Sequence, residues 1–231
     1  GGGGGPVARR IVLESRETWR CGGTWFVGLD ALPNGTDGSI EGLELPWDDI
    51  GLRPVPLHPA QVSVTRVGYP RRDEGESEKA FEFRKLRDAA HLDGLLPVGP
   101  QKRRMVQEPH GWILGLPLNR AERGGAAALV VWEGSHLVMA DALRAAFGGQ
   151  TADLENCDIT DAYQAARKQV FDRCPRVELP GQPGEAVILH RHMIHGVAPW
   201  AEGASADLPG RMVAYFRPLL PSVADWLRDD G

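Results

Sequence analysis

Apolar residues in this chain come in short bursts divided by glycine, proline and acidic turns. Six bursts have strand character: "TWFVGL" (24–29), "QVSVTRVGY" (61–69), "GWILGLPL" (111–118), "AALVVWEG" (127–134), "GEAVILH" (184–190) and "RMVAYFRP" (211–218). They are short, rich in β-branched and aromatic residues, and bounded by turn formers. Two stretches instead repeat apolar positions at helical spacing. "SHLVMADALRAAFGG" (135–149) is closed by a Gly-Gly pair, and "DITDAYQAARKQVFDRC" (158–174) offers Asp158 and Thr160 as caps and ends on basic residues. Strands on both sides of two helices, with no βαβ rhythm, predict a mainly β sandwich or barrel with flanking α-helices.

Composition narrows this picture. The chain has 231 residues, a length that one β-barrel domain often uses whole, so a single domain over 1–231 is expected. Its 29 glycines and 18 prolines are spread throughout, as many short elements joined by tight turns require. Residues 1–6, "GGGGGP", read as a flexible tail. A hydrophobic share of 42% against 25% charged residues describes a protein with a real core. The net charge of −5 argues against a nucleic-acid partner. No apolar run reaches the length of a membrane span, and the N-terminal stretch lacks the apolar segment of a secretory signal. The three cysteines, Cys21, Cys157 and Cys174, are widely spaced and form no C-x-x-C pair, which fits free thiols in the cytoplasm and argues against a thiolate metal site.

The candidate chemistry begins at "RDAAHLDGLLP" (87–97). In an extended strand residues i and i+2 share a face, so His91 and Asp93 reach one point together. An imidazole and a carboxylate from one strand make two corners of a metal octahedron. A histidine from a distant strand completes the 2-His-1-carboxylate facial triad of non-haem Fe(II) oxygenases and leaves three positions open. "VILHRHMIHGVAPW" (187–200) supplies three candidates, His190, His192 and His195. Parity puts His195 with Val187, Leu189 and Met193, the better-formed apolar face, and Gly196 beside it would leave open space at a metal. His190 and His192 read as strand-edge or supporting residues.

The order "HLDG", "ILGLPLNRAERGGAAALVVWEGSH", "GEAVILHRHMIHGVAPW", "GRMVAYFRP" resembles the phytanoyl-CoA dioxygenase-like branch of the Fe(II)/2-oxoglutarate-dependent oxygenases, over about residues 60–220. The resemblance implies a double-stranded β-helix, a jelly-roll or cupin-like barrel, with 60–220 as its catalytic core. It implies His91, Asp93 and His195 as Fe(II) ligands and catalytic residues, and Arg211 as the anchor for the far carboxylate of 2-oxoglutarate. The remaining iron positions would take the 2-oxoacid and O2, and a small-molecule substrate would be oxidised in a monomer or small homo-oligomer. An arginine fork suits a carboxylate through paired hydrogen bonds. The aspartate of H-x-D is present, so hydroxylation or desaturation is implied in place of halogenation. The chain departs from the pattern in four places. "WEGSH" lacks a proline before its glycine, and Glu185 stands where aspartate is usual. Val197 replaces a serine that would touch the co-substrate, and "WAEGASADL" lengthens the step from His195 to Arg211, which keeps Arg217 as the spare arginine.

Two other readings remain open on sequence grounds. One is a metal-dependent cupin with isomerase or lyase activity, which needs no Arg211. The other is an inactive binding barrel, which would be expected to lack a ligand. Among other features, "GPQKRRMVQE" (99–108) reads as a solvated basic loop. Arg66, Tyr69 and Arg84 are pocket candidates, Trp25 and Phe26 core, and His136 a packed or capping residue.

Overall fold

The computed structural model describes residues 19–28, 34–40, 44–207 and 210–228. The glycine tail expected at 1–6 lies outside them.

Ten strands form three antiparallel sheets among the described residues. The largest has the order β1 (Trp25–Gly28), β2 (Gln61–Thr65), β10 (Arg211–Phe216), β5 (Trp112–Pro117), β8 (Val187–His190). Its register sets Arg211 opposite Thr65, Tyr215 opposite Gly115 and Ile113 opposite Leu189. A second sheet has the order β7 (Arg176–Leu179), β6 (Leu129–Trp132), β9 (His195–Val197). The third is a hairpin of β3 (Leu95–Val98) and β4 (Arg103–Val106).

Strand alternation decides which side chains meet. In β10, Val213 and Tyr215 join Ile113, Leu189, Leu129 and Val131 in one buried cluster, so the five- and three-stranded sheets face each other. Met212, Ala214 and Phe216 point the other way, into clusters covered by Phe26 and by the segment around Leu57. Arg211 therefore shares the inner face with Val213 and Tyr215.

The outer face of the three-stranded sheet is covered by helices α2 (Ser135–Phe147) and α3 (Thr160–Arg173), whose Met139, Leu143, Tyr163 and Val170 pack against Val130 and Trp132. Gly148 closes α2 in the left-handed conformation, as its Gly-Gly stop predicts. Helix α1 (Glu78–Leu86) buries none of its residues, and α4 (Val223–Leu227) sends Trp226 into the core. The basic run at 102–104 turns out to be a fastening. Arg103 pairs with Asp158 and Asp161, and the Arg104 N–H donates to Thr160 Oγ1 at 2.7 Å, which pins the hairpin to the start of α3.

Candidate metal centre

His91 does not sit in a regular strand, as the H-x-D spacing predicts. It makes a single bridge to His195, with backbone hydrogen bonds of 2.9 and 3.1 Å, and the chain then turns at Asp93 and Gly94. Asp88 and Ala89 before it both lie in the left-handed region, with φ of 50° and 52°. Two bonds from Arg176 hold this turn by clasping the buried Asp88 carboxylate at 2.6 and 2.8 Å. The opening for this turn comes from Gly196. A Cβ there would stand 2.2 Å from the Asp88 carbonyl oxygen, so the missing side chain makes room for backbone and not, as its place beside His195 suggests, for a metal.

The segment 187–197 is likewise not one strand. β8 ends at His190, residues 191–194 cross between the two sheets, and β9 begins at His195. Parity across the break carries no information, yet His195 is the histidine that reaches His91. His190 and His192 lie on the other side of the crossing, with rings 5.3 Å apart, and His192 meets Trp226 edge-on at 4.4 Å. His136 packs at 5.1 Å from His190.

His91, Asp93 and His195 form a His-Asp-His set able to hold a metal ion, their ligand atoms lying within 4.8 Å of one another. Asp93 Oδ1 is 3.1 Å from His91 Nε2 and 3.6 Å from His195 Nε2. Adjacent ligands on an octahedral ion with bonds of about 2.1 Å stand about 3.0 Å apart, so the set fits such an ion with small movements. The histidines are turned for it. His91 Nδ1 donates to the Ala89 carbonyl at 3.1 Å and His195 Nδ1 to that of Met193 at 3.0 Å, so in the neutral rings both Nε2 atoms present lone pairs to a cation shared with Asp93. Burial draws the His195 imidazole down to about 4 against the pull of Asp93, so it stays neutral at physiological pH. Burial opposes charge on Asp93, but the neighbouring His195 and Arg217 together hold its carboxyl well below the usual range. The set opens toward solvent at His91, whose side chain is 50% exposed, against 13% for Asp93 and 7% for His195.

Arg211 lies at the far end of the inner face. It is buried, and among the described residues no hydrogen bond or ion pair engages its guanidinium. Around it are Thr65, whose buried Oγ1 has no hydrogen-bond partner among the described residues, and Tyr69, whose phenol burial pushes above its ordinary value. Val197 packs in the same cluster as Tyr69. Arg217, six positions on, is engaged at the His-Asp-His end, where its Nε donates to Asp93 Oδ2 at 2.6 Å and its Nη1 to Gln61 Oε1 at 2.7 Å. The other pocket candidates have structural partners. Arg84 binds Glu76 and Cys21, and Arg66 lies 3.7 Å over the Trp19 ring. The sequence reading missed Thr65, Gln61 and the role of Arg217, because only the register of β2 against β10 brings the three to the site.

No protein-family model matches the chain, and no curated protein matches it. Among solved structures it is similar to the epimerase SnoN in complex with Fe3+, alpha ketoglutarate and nogalamycin RO, at 14% identity and a TM-score of 0.46, over 96% of this chain and 77% of that one. It is also similar to SnoK, a non-heme alpha ketoglutarate dependent carbocyclase from nogalamycin biosynthesis, at 13% identity and a TM-score of 0.42, over 95% and 77% of the two chains. A third is AviO1 from Streptomyces viridochromogenes Tue57, at 16% identity and a TM-score of 0.40, over 94% and 82%. In another structure of SnoN the match spans 48% of that chain, about half its length. With identities this low, what the site can do follows from its own residues. No helix among the described residues is long and apolar enough to cross a membrane.

Proposed function

We propose that the protein is a non-haem Fe(II)/2-oxoglutarate-dependent dioxygenase of the phytanoyl-CoA dioxygenase-like kind, hydroxylating a small-molecule substrate as 2-oxoglutarate becomes succinate. The observation that carries this reading is the convergence of His91 Nε2, Asp93 Oδ1 and His195 Nε2 from one side, with both Nδ1 atoms tied to carbonyls. Three protein donors on one face leave the opposite face for small ligands. Iron held there would, with 2-oxoglutarate and O2, supply the oxidation.

The chain's residues bind and orient. His91, Asp93 and His195 would hold the iron. Arg211, buried and without another anion, would hold the far carboxylate of 2-oxoglutarate by its planar fork. Thr65 and Tyr69 offer hydroxyls beside it where Val197 offers none. The half-exposed side of His91 gives a small substrate its approach. The two facing sheets are the walls expected of a double-stranded β-helix, and we assign the whole reaction to this one domain, in the cytoplasm.

The test is succinate formation by the purified protein with Fe(II), ascorbate, O2 and 2-oxoglutarate, which is expected to be slow without the substrate. Asp93→Ala is expected to abolish it. A cupin isomerase or lyase would leave 2-oxoglutarate unchanged, and an inactive barrel would bind it at most. An iron-loaded, folded sample that does not bind 2-oxoglutarate overturns the proposal.

A further inference from the structure

We propose that Arg217 is a positioning residue that restricts Asp93 to a one-oxygen metal contact. The inference rests on the reading of His91, Asp93 and His195 as metal ligands. The two oxygens of Asp93 keep different company. Oδ1 faces both histidine Nε2 atoms, at 3.1 and 3.6 Å, while Oδ2 accepts the Arg217 Nε–H at 2.6 Å. The arginine is itself fixed from three directions. Its Nη1 donates to Gln61 Oε1 at 2.7 Å, its backbone N–H donates to His58 Nε2 at 2.6 Å, and its guanidinium lies 5.0 Å from the Tyr215 ring centroid. The side chain is only 18% exposed, so water does not readily replace these contacts.

An unrestrained carboxylate can hold a cation through one oxygen or through both. If Asp93 used both, it would occupy a position that an exogenous ligand needs. Arg217 keeps Oδ2 turned away by a short charge-assisted hydrogen bond, so the three side chains supply three donors and no more. The same guanidinium also brings a positive charge close to the ion. Removing it therefore has opposing effects on affinity: less repulsion of the metal, but less order in the carboxylate. The count of open positions has no such ambiguity, and it is the quantity to read.

The experiment uses the full chain with Mn(II) as the probe ion and counts metal-bound waters from 17O-water broadening of its electron paramagnetic resonance lines. About three waters are expected for the unaltered protein, as three protein donors on an octahedral ion require. Arg217→Met is expected to lose about one of them as Asp93 swings to two-oxygen binding. Arg217→Lys, which keeps a cationic donor, is expected to recover it. Arg217→Gln is the second neutral variant, expected to lose the same water, and it carries the test if the Met variant does not fold. Equal water counts in the unaltered protein and the folded neutral variants overturn the proposal. So does a folded neutral variant that no longer binds Mn(II), because Arg217 would then be needed for the site to exist and not for its geometry. If the unaltered protein fails to bind Mn(II), the metal-site reading itself falls.

Discussion

Thr65 is the residue whose chemistry is least explained by packing. It is 1% exposed on an inner strand face where valine would fit, and its Oγ1 has no hydrogen-bond partner among the described residues. It stands opposite Arg211 in the register, where side chains share a face about 5 Å apart. If the hydroxyl serves the co-substrate, Thr65→Val should weaken 2-oxoglutarate binding about tenfold, near 1.4 kcal/mol, and leave Mn(II) binding unchanged in calorimetric titration. An unchanged titration would leave the hydroxyl without that role. His192 answers to pH instead. Burial, together with His190, Arg191 and Arg144, lowers its imidazole to about 3 from an ordinary 6.5. The folded protein thus resists protonation that the unfolded chain accepts, so stability is undiminished above about pH 6.5 and falls as pH drops toward about 3. His192→Leu should flatten that acid slope in urea titrations run at pH 7 and pH 5. A slope as steep as the parent's would mean that other groups govern it.

At the scale of elements, the close crossing of the 88–90 turn over β9 is the most constrained contact. Gly196→Ala would drive a methyl to 2.2 Å from the Asp88 carbonyl oxygen, where no flexible side-chain end can yield. Overpacking of this kind costs about 1–3 kcal/mol or more, and here it should also shift His195 and lower metal affinity. A variant with parent-like stability and metal binding would show the contact to be soft. The sequence made the strands legible wherever a burst was apolar and bounded, as in β5, β6 and β10. It concealed α1, because "EKAFEFRKL" buries no residue and so carries no core-facing stripe, leaving the Ser77 cap as its one clear signal. It concealed the break between β8 and β9 as well, since no glycine or proline interrupts the crossing at 191–194 and Met193 and Ile194 lead straight into β9. The H-x-D pair was legible from residue types, but its geometry comes from a left-handed turn clasped by Arg176, 88 positions away. Local spacing cannot contain such a partner.

Across the whole molecule, the three candidate ligands join segments more than 100 residues apart, so an ion that binds only the folded chain should stabilise all of it. With Mn(II) at about 100 times its dissociation constant the gain is about 2.7 kcal/mol, which for a domain of this size raises Tm by about 5–10 °C. His91→Ala should fold with near-parent Tm in the absence of metal and show no such rise. Loss of the fold would mark the ion site as structural. Finally, β10 is inserted between β2 and β5, strands synthesised far earlier. During translation those two edges must wait, unpaired, for a strand some 100 residues beyond β5. Nascent chains stalled before β10 should therefore recruit chaperones and resist native-like protease protection. Refolding from denaturant should be slow, on the order of milliseconds to seconds, because its last pairing is so distant in sequence. Arg211 opens that strand and Arg217 directly follows its last residue, so both guanidiniums reach the inner face only when β10 docks, and a half-made chain lacks the two positive charges proposed to meet the co-substrate and Asp93.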